Sequence, residues 1–284
     1  AFTIRMPGSR NFFVQPHVTS GGITGGTTER PVANLNEPDD PVLRDDQVNE
    51  IISKFNAAFT AQASTRDVIY TWSGERPIIK PANDDGSTVS RDYEITTDAP
   101  GFITVWGGKL TANPAMGRDA VDTIVANMPK ERVSQLLKSP WVRKEKLSGG
   151  HIPDDDFEAF LAKKQRQFEW VESPDMIKRM ARAYGSSIDE VIGISSRSKR
   201  DLGHNFNDSA NPLYQKEVEY LVREEFARSV NDILYRRTKL GIMMSGSRLD
   251  VSGKADTSSD DRVKTLERFV GKEVALLDQD IGHP

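Results

Sequence analysis

The chain has no cysteine among its 284 residues, which excludes disulfides, thiol nucleophiles and cysteine-ligated zinc or iron–sulfur centres. This absence fits a reducing compartment. Histidine is also scarce: His17, His151, His204 and His283 are scattered, none forms an i, i+4 pair, and a metal site is not expected. Long apolar runs are missing, and no window approaches the roughly 18 residues of a membrane span. The start, Ala1-Phe2-Thr3-Ile4-Arg5-Met6-Pro7, has neither a basic n-region nor an apolar h-region, so no signal peptide is expected. Positive charge is not in excess. Forty-two acidic against 38 basic side chains give a net charge of −4, which argues against non-specific nucleic-acid binding as the main activity. No G-x-S-x-G elbow, Walker P-loop or G-x-G-x-x-G turn occurs, so the chain carries no nucleotide-phosphate fingerprint of its own.

What is present suggests roughly two domains of a soluble globular protein. Short apolar runs at Phe2 to Ile4 and Phe12 to Val14, separated by Gly-rich turns, read as strands. Residues 31–42 hold three prolines and read as a loop. Val48, Ile51, Ile52, Phe55 and Phe59 form the stripe of an amphipathic helix, and Asp45 and Asp46 favour its positive end. Strands are expected near 11–15, 67–72, 91–95 and 102–106, and a helix carries Ala120, Val121, Ile124 and Val125 on one face. Residues 130–156, rich in Lys, Ser, Gly and Pro, read as a connector. Helices follow. Phe157, Phe160, Leu161 and Phe168 share a face; Ser173-Pro174 is an N-cap with proline at the first helical position, and that helix should stop at Gly185. Ser187 caps a short helix ending near Gly193. Tyr214, Val218, Leu221 and Val222 form another stripe, and Ser229 and Asp232 stand at capping-box spacing. A last helix begins near Ser258 and carries Val263, Leu266, Phe269, Val270 and Val274. The expected fold class is α+β: a mixed-sheet part, residues 1–128, a connector, 129–155, and an all-helical part, 156–284.

Chemistry concentrates on cations at expected strand ends. Arg76 precedes a proline that fixes the turn, Arg91 opens the next strand, and Lys109 follows Gly107-Gly108 where another strand runs towards a helix. Three cations at one sheet edge would bind a phosphate or carboxylate, and paired glycines let backbone approach a ligand closely. The plainer alternative is that two arginines and a lysine are solvated surface charges.

These residues also carry a resemblance. Thr71-Trp72-Ser73-Gly74-Glu75-Arg76-Pro77-Ile78-Ile79, Ser87-Thr88-Val89-Ser90-Arg91-Asp92-Tyr93 and Thr104-Val105-Trp106-Gly107-Gly108-Lys109-Leu110-Thr111 resemble, in order and spacing, segments of FAD-dependent glycerol-3-phosphate dehydrogenase. Gly25-Gly26-Thr27-Thr28-Glu29 resembles that family's Gly-Thr-Thr-Asp strand end. Arg182-Ala183-Tyr184-Gly185, Glu217 to Arg228 and Asp232 to Gly241 resemble its C-terminal domain, so the likeness covers nearly the whole chain.

The resemblance implies that the chain corresponds to the C-terminal half of such an enzyme: the end of a flavoprotein substrate/FAD domain followed by the helical C-terminal domain. It implies FAD as cofactor and oxidation of sn-glycerol 3-phosphate to dihydroxyacetone phosphate. Arg76 then matches the arginine near the reacting oxygen, and Arg91 and Lys109 match residues that hold the substrate phosphate. Gly107, Gly108, Lys109, Leu110 and Thr111 match the segment that passes the flavin. A quinone acceptor, a homodimer, and a cytoplasmic place, peripheral on the cytoplasmic or inner mitochondrial membrane, are further implications. Because the glycine-rich FAD segment is absent from these residues, the chain is expected to be inactive by itself. Two departures stand out. Ala112-Asn113-Pro114 replaces the family's Thr-Tyr-Arg, and Pro114 is expected to shift the start of the next helix. The family's active-site histidine lies upstream, so His17 does not inherit its role. Two other classes stay open: a glycerophosphate oxidase or other FAD-dependent oxidase, and a non-catalytic helical interaction module derived from a flavoprotein.

Overall fold

The computed structural model describes residues 2–5, 11–17, 22–28, 43–74, 92–136, 146–207, 209–244 and 261–281. Internal contacts divide the chain into two units: Ala1–Pro38, Val42–Trp72 and Lys146–Pro284 in one, Asp39–Pro41 and Ser73–Glu145 in the other.

In the first unit, β1 (Phe2–Ile4), β2 (Phe12–Pro16) and β3 (Ile23–Gly26) form an antiparallel sheet in that order. Phe2 pairs with Val14 and Val14 with Gly25, so period-2 alternation puts Phe12 and Val14 on the buried face. Helix α1 (Asp45–Ala58) lies over that face; a side chain at position 25 would come within 3.3 Å of the Phe12 ring and 3.8 Å of Ile51. The expected strand over residues 67–72 is absent. A 3-10 turn at Thr65–Asp67, closed by Ser64 and Asp67, is followed by residues 68–74 without helix or strand. Their apolar side chains are used in ring stacking: Tyr70 packs on Trp72 with centroids 6.0 Å apart.

The rest of this unit is helical: α4 (Phe157–Gln167), α5 (Pro174–Tyr184), α6 (Ile188–Ile192), α7 (Gln215–Arg223), a π-helical turn (Asp232–Arg237), α8 (Gly241–Met244) and α9 (Asp261–Ile281). Among the described residues no strand occurs after residue 155, only an isolated bridge between Asn205 and Tyr214. Local signals set the helix ends. Asp156 accepts from the Ala159 N–H at 3.0 Å, and the Ser173 hydroxyl accepts from Met176 N–H at 3.3 Å ahead of Pro174. The Asp232 carboxylate accepts from the Ser229 N–H and hydroxyl, both at 2.9 Å, closing the expected capping box. Phe160, Met180, Ile188, Leu221, Leu234 and Leu266 belong to one continuous core. Burying each such side chain contributes about 1.5–3 kcal/mol.

Gly185 ends α5 as expected, and the reason is steric. Its φ is +54°, and a Cβ there would collide with the Gly149 carbonyl oxygen, which accepts from Ser186 N–H at 2.9 Å. Gly185→Ala is therefore expected to destabilise the helical part by about 1–3 kcal/mol through strain at this crossing. Circular dichroism melts of the variant and the wild type would measure it.

In the second unit, β4 (Tyr93–Ala99) and β5 (Phe102–Gly107) form an antiparallel hairpin, with α2 (Asn113–Ala126) packed on both strands. Helix α3 (Lys130–Leu136) corrects part of the connector reading. Lys130, Glu131 and Arg132 are good helix formers, and Glu131 favours the positive end of the helix. The chain is α+β.

Candidate functional site

The β5–α2 turn carries five of the expected site residues. β5 runs to Gly107, which pairs with Tyr93 at the start of β4. Gly107 (φ +66°) and Gly108 (φ +94°) both take left-handed backbone, which glycine adopts without steric penalty. A Cβ on Gly108 would lie 3.1 Å from the Met116 sulfur and 3.2 Å from Tyr93 Cβ, so the second glycine also lets the turn close against β4 and α2. Lys109 then returns to extended backbone. Leu110–Ala112 makes a 3-10 turn, and α2 starts at Asn113 with Pro114 in its first turn, where a missing N–H costs nothing. Lys109, Leu110 and Thr111 are exposed on this turn, Leu110 by 86%.

Two hydrogen-bond systems hold the hairpin around it. Tyr93 Oη donates to Asp119 Oδ2 on α2 at 2.5 Å, and this bond pushes the phenol pKa up, with smaller contributions from burial and the Asp119 charge. On the other face, Trp106 Nε1 donates to Thr96 Oγ1 at 3.0 Å, and Thr96 donates to Asp98 at 2.7 Å. Thr104 also donates to Asp98; the Thr104 bond, then the Thr96 bond, hold the Asp98 carboxyl below its usual range. Trp106, directly before Gly107, is thereby tied across the hairpin to β4. Composition gave no sign of these ties; only the pairing register brings residues 96, 98, 104 and 106 together.

Arg76 and Arg91 lie outside the described residues. Gly107, Gly108, Lys109, Leu110 and Thr111 share one turn. A cleft of about 320 Å³ in the helical part, bordered by Glu172, Ser173, Asp175, Lys199, Asn205 and Tyr214, belongs to the other unit. Its Lys199 is 2.6 Å from Glu172, whose carboxyl this hydrogen bond and the lysine charge hold below its ordinary range.

Residues 142–255 match the family described as the C-terminal domain of alpha-glycerophosphate oxidase. The aerobic glycerol-3-phosphate dehydrogenase of Escherichia coli (strain K12) is 27% identical over 250 residues, covering 86% of this chain and 47% of the relative. That of Staphylococcus aureus (strain USA300) is 31% identical over 220 residues, 75% of this chain and 37% of the relative. These matches agree: the chain is similar to the C-terminal part of glycerol-3-phosphate dehydrogenases. A relative with another named substrate, the D-erythritol 1-phosphate dehydrogenase of Brucella abortus (strain 2308), is 25% identical over 242 residues, 84% of this chain and 45% of that relative. The chain spans less than half the length of these dehydrogenases, and the matched stretch is their C-terminal part. Within it, the C-terminal domain match takes in α4 to α8. Among the described residues no helix is long and apolar enough to cross a membrane.

Proposed function

We propose that this chain supplies the substrate clamp and the flavin-facing turn of an FAD-dependent dehydrogenase that oxidises a polyol phosphate, with sn-glycerol 3-phosphate as substrate and dihydroxyacetone phosphate as product. The observation that carries this reading is the β5–α2 turn. Lys109 stands exposed two residues beyond Gly107, and Arg91 stands two residues before Tyr93, the strand partner of Gly107. The two cations thus flank the paired end of one hairpin in sequence, an arrangement suited to a phosphate monoester. The relatives' names agree on that group, since glycerol 3-phosphate and D-erythritol 1-phosphate are both polyol phosphates.

In this reading residues 1–128 are a partial substrate/FAD-binding domain, 129–155 a connector and 156–284 the C-terminal helical domain. Held against the Gly107–Thr111 segment, FAD would supply the hydride-accepting redox chemistry for oxidation at C2, with a quinone as the final electron acceptor. The protein's part is to orient and to stabilise charge. Arg91 and Lys109 hold the phosphate, while Arg76 stands near the C2 oxygen and stabilises the negative charge that develops as the hydroxyl proton leaves. The exposed Lys109-Leu110-Thr111 backbone, opened by two left-handed glycines, fits a segment passing a flat ring system. The sequence contains no G-x-G-x-x-G motif of the kind that grips a dinucleotide pyrophosphate, so the chain by itself should bind FAD weakly and turn over little.

The phosphate clamp is testable by kinetics. Lys109→Ala and Arg91→Ala should each raise KM for glycerol 3-phosphate by about tenfold to a hundredfold, in line with loss of one charge-assisted contact worth about 1.5–3 kcal/mol. An FAD-dependent oxidase acting on an amino acid would need no phosphate clamp, so an unchanged KM in both variants would contradict the proposal.

A further inference from the structure

The second unit has no sealed interior among its described residues: none of their side chains is buried. Helix α2 lies on the Tyr93 face of the β4–β5 hairpin, where Tyr93 reaches Asp119. A two-stranded hairpin is marginal in water and needs further packing to stand. On its opposite face, alternation brings Phe102, Thr104 and Trp106 of β5 to one side, and Glu94 and Thr96 of β4 stand across from Trp106 and Thr104. Phe102 is 61% exposed and Trp106 51%, so two large rings are displayed four residues apart. The face is also rigid. Trp106 Nε1 donates to Thr96, so the indole needs no acceptor from a partner, and Asp98 accepts from both Thr96 and Thr104. Aromatic anchors bordered by satisfied polar groups have the character of an interface centre, not of a solvated sheet.

We infer that this face docks the polypeptide that grips the FAD pyrophosphate. The choice of partner rests on the function proposed above, in which the flavin lies against Lys109-Leu110-Thr111. Trp106 directly precedes the Gly107-Gly108 pair that opens that turn, and the sequence has no G-x-G-x-x-G of its own. A polypeptide holding the other end of the same FAD therefore comes up against the surface beside the turn. The relatives include a partner of that size: more than half of the Escherichia coli dehydrogenase lies ahead of the stretch this chain matches. Leu110, exposed on the turn itself, extends the apolar surface from Trp106. Val121 and Ile124 on α2 are exposed as well, but lie away from the turn in sequence and serve as the comparison.

The test mixes the full chain with the FAD-loaded flavin-binding segment of a relative, reading affinity by titration and side-chain cover by hydroxyl-radical oxidation with mass spectrometry. Oxidation of Phe102 and Trp106 should be lost when the segment is added. Phe102→Glu and Trp106→Thr should each weaken binding roughly tenfold or more, as for an aromatic at an interface centre. Val121→Glu with Ile124→Glu should bind like the wild type. The oxidation pattern of the wild type decides the face even if a hairpin variant fails to fold. Absence of binding, or binding with both rings still oxidised, would overturn the inference. So would cover that develops in the chain alone as its concentration rises, which would assign the face to a second copy. Turnover of glycerol 3-phosphate is read separately in the same mixture. Loss of oxidation without turnover would contradict the proposed function and leave the docking face standing, whereas turnover with both rings still oxidised would overturn the docking face alone.

Discussion

Glu217→Ala is expected to lower the stability of the helical part by about 3–5 kcal/mol, because it leaves a buried guanidinium without its counter-charge. Glu217 is 1% exposed on its side chain and Arg179 is 9% exposed. Arg179 grips the carboxylate with both terminal nitrogens, at 2.5 and 2.8 Å, and also donates to Asn211 Oδ1 at 3.0 Å and to the Pro212 carbonyl at 3.2 Å. Tyr184 donates its hydroxyl to the same carboxylate at 2.7 Å. Burial, and then the neighbouring Glu217 charge, push the Tyr184 phenol pKa well up. Burial alone would lower the Arg179 pKa, but its pairing with Glu217 outweighs this and raises it. The network thus joins α5, the Asn211–Pro212 loop and α7. Removing both charges with matched apolar side chains, as in Arg179→Met with Glu217→Leu, should cost less than Glu217→Ala alone, since no charge is then stranded. Chemical denaturation of the three proteins tests this. A Glu217→Ala variant within 1 kcal/mol of the wild type would show that the network is not holding the layer.

Arg76→Ala carries the largest expected catalytic effect under the proposed function. A fixed cation beside the developing alkoxide acts mainly in the transition state, so kcat should fall by about 10²–10³ with a smaller change in KM. Lys109→Ala should do the opposite, raising KM more than it lowers kcat, because the phosphate is bound equally before and during hydride transfer. This contrast between two basic residues separates a catalytic role from a binding one, and dye-reduction kinetics on the assembled enzyme would measure it.

Features carried by neighbouring residues were legible before the fold was known. Ser173-Pro174 and Gly185 bracket α5, and Gly107-Gly108 turns β5 towards α2, each through a backbone requirement that a few adjacent residues meet. Residues 68–72 misled because β-branched and aromatic side chains suit both a strand and a stack, and only a partner chain segment decides between them. Helix α3 was hidden by its polar composition, since its helix formers leave only a weak apolar stripe. The Arg179–Glu217 pair joins positions 38 apart, and Tyr70 meets Tyr235 across a still longer interval, so neither left a local trace. Lys109 was legible as a candidate because the glycines marked its turn. The proposed convergence of Arg76 and Arg91 with it rests on motif order and on the Tyr93–Gly107 register, not on their own positions.

The most direct test is reduction of an electron-accepting dye by glycerol 3-phosphate and FAD, with the chain alone and with the chain mixed with the flavin-binding segment of a relative. The proposed function predicts little turnover alone and restored turnover in the mixture, lost again with Arg76→Ala. Robust turnover by the chain alone would contradict the claim that the FAD grip must come from elsewhere, and a mixture as active with Arg76→Ala as with the wild type would contradict the assigned site.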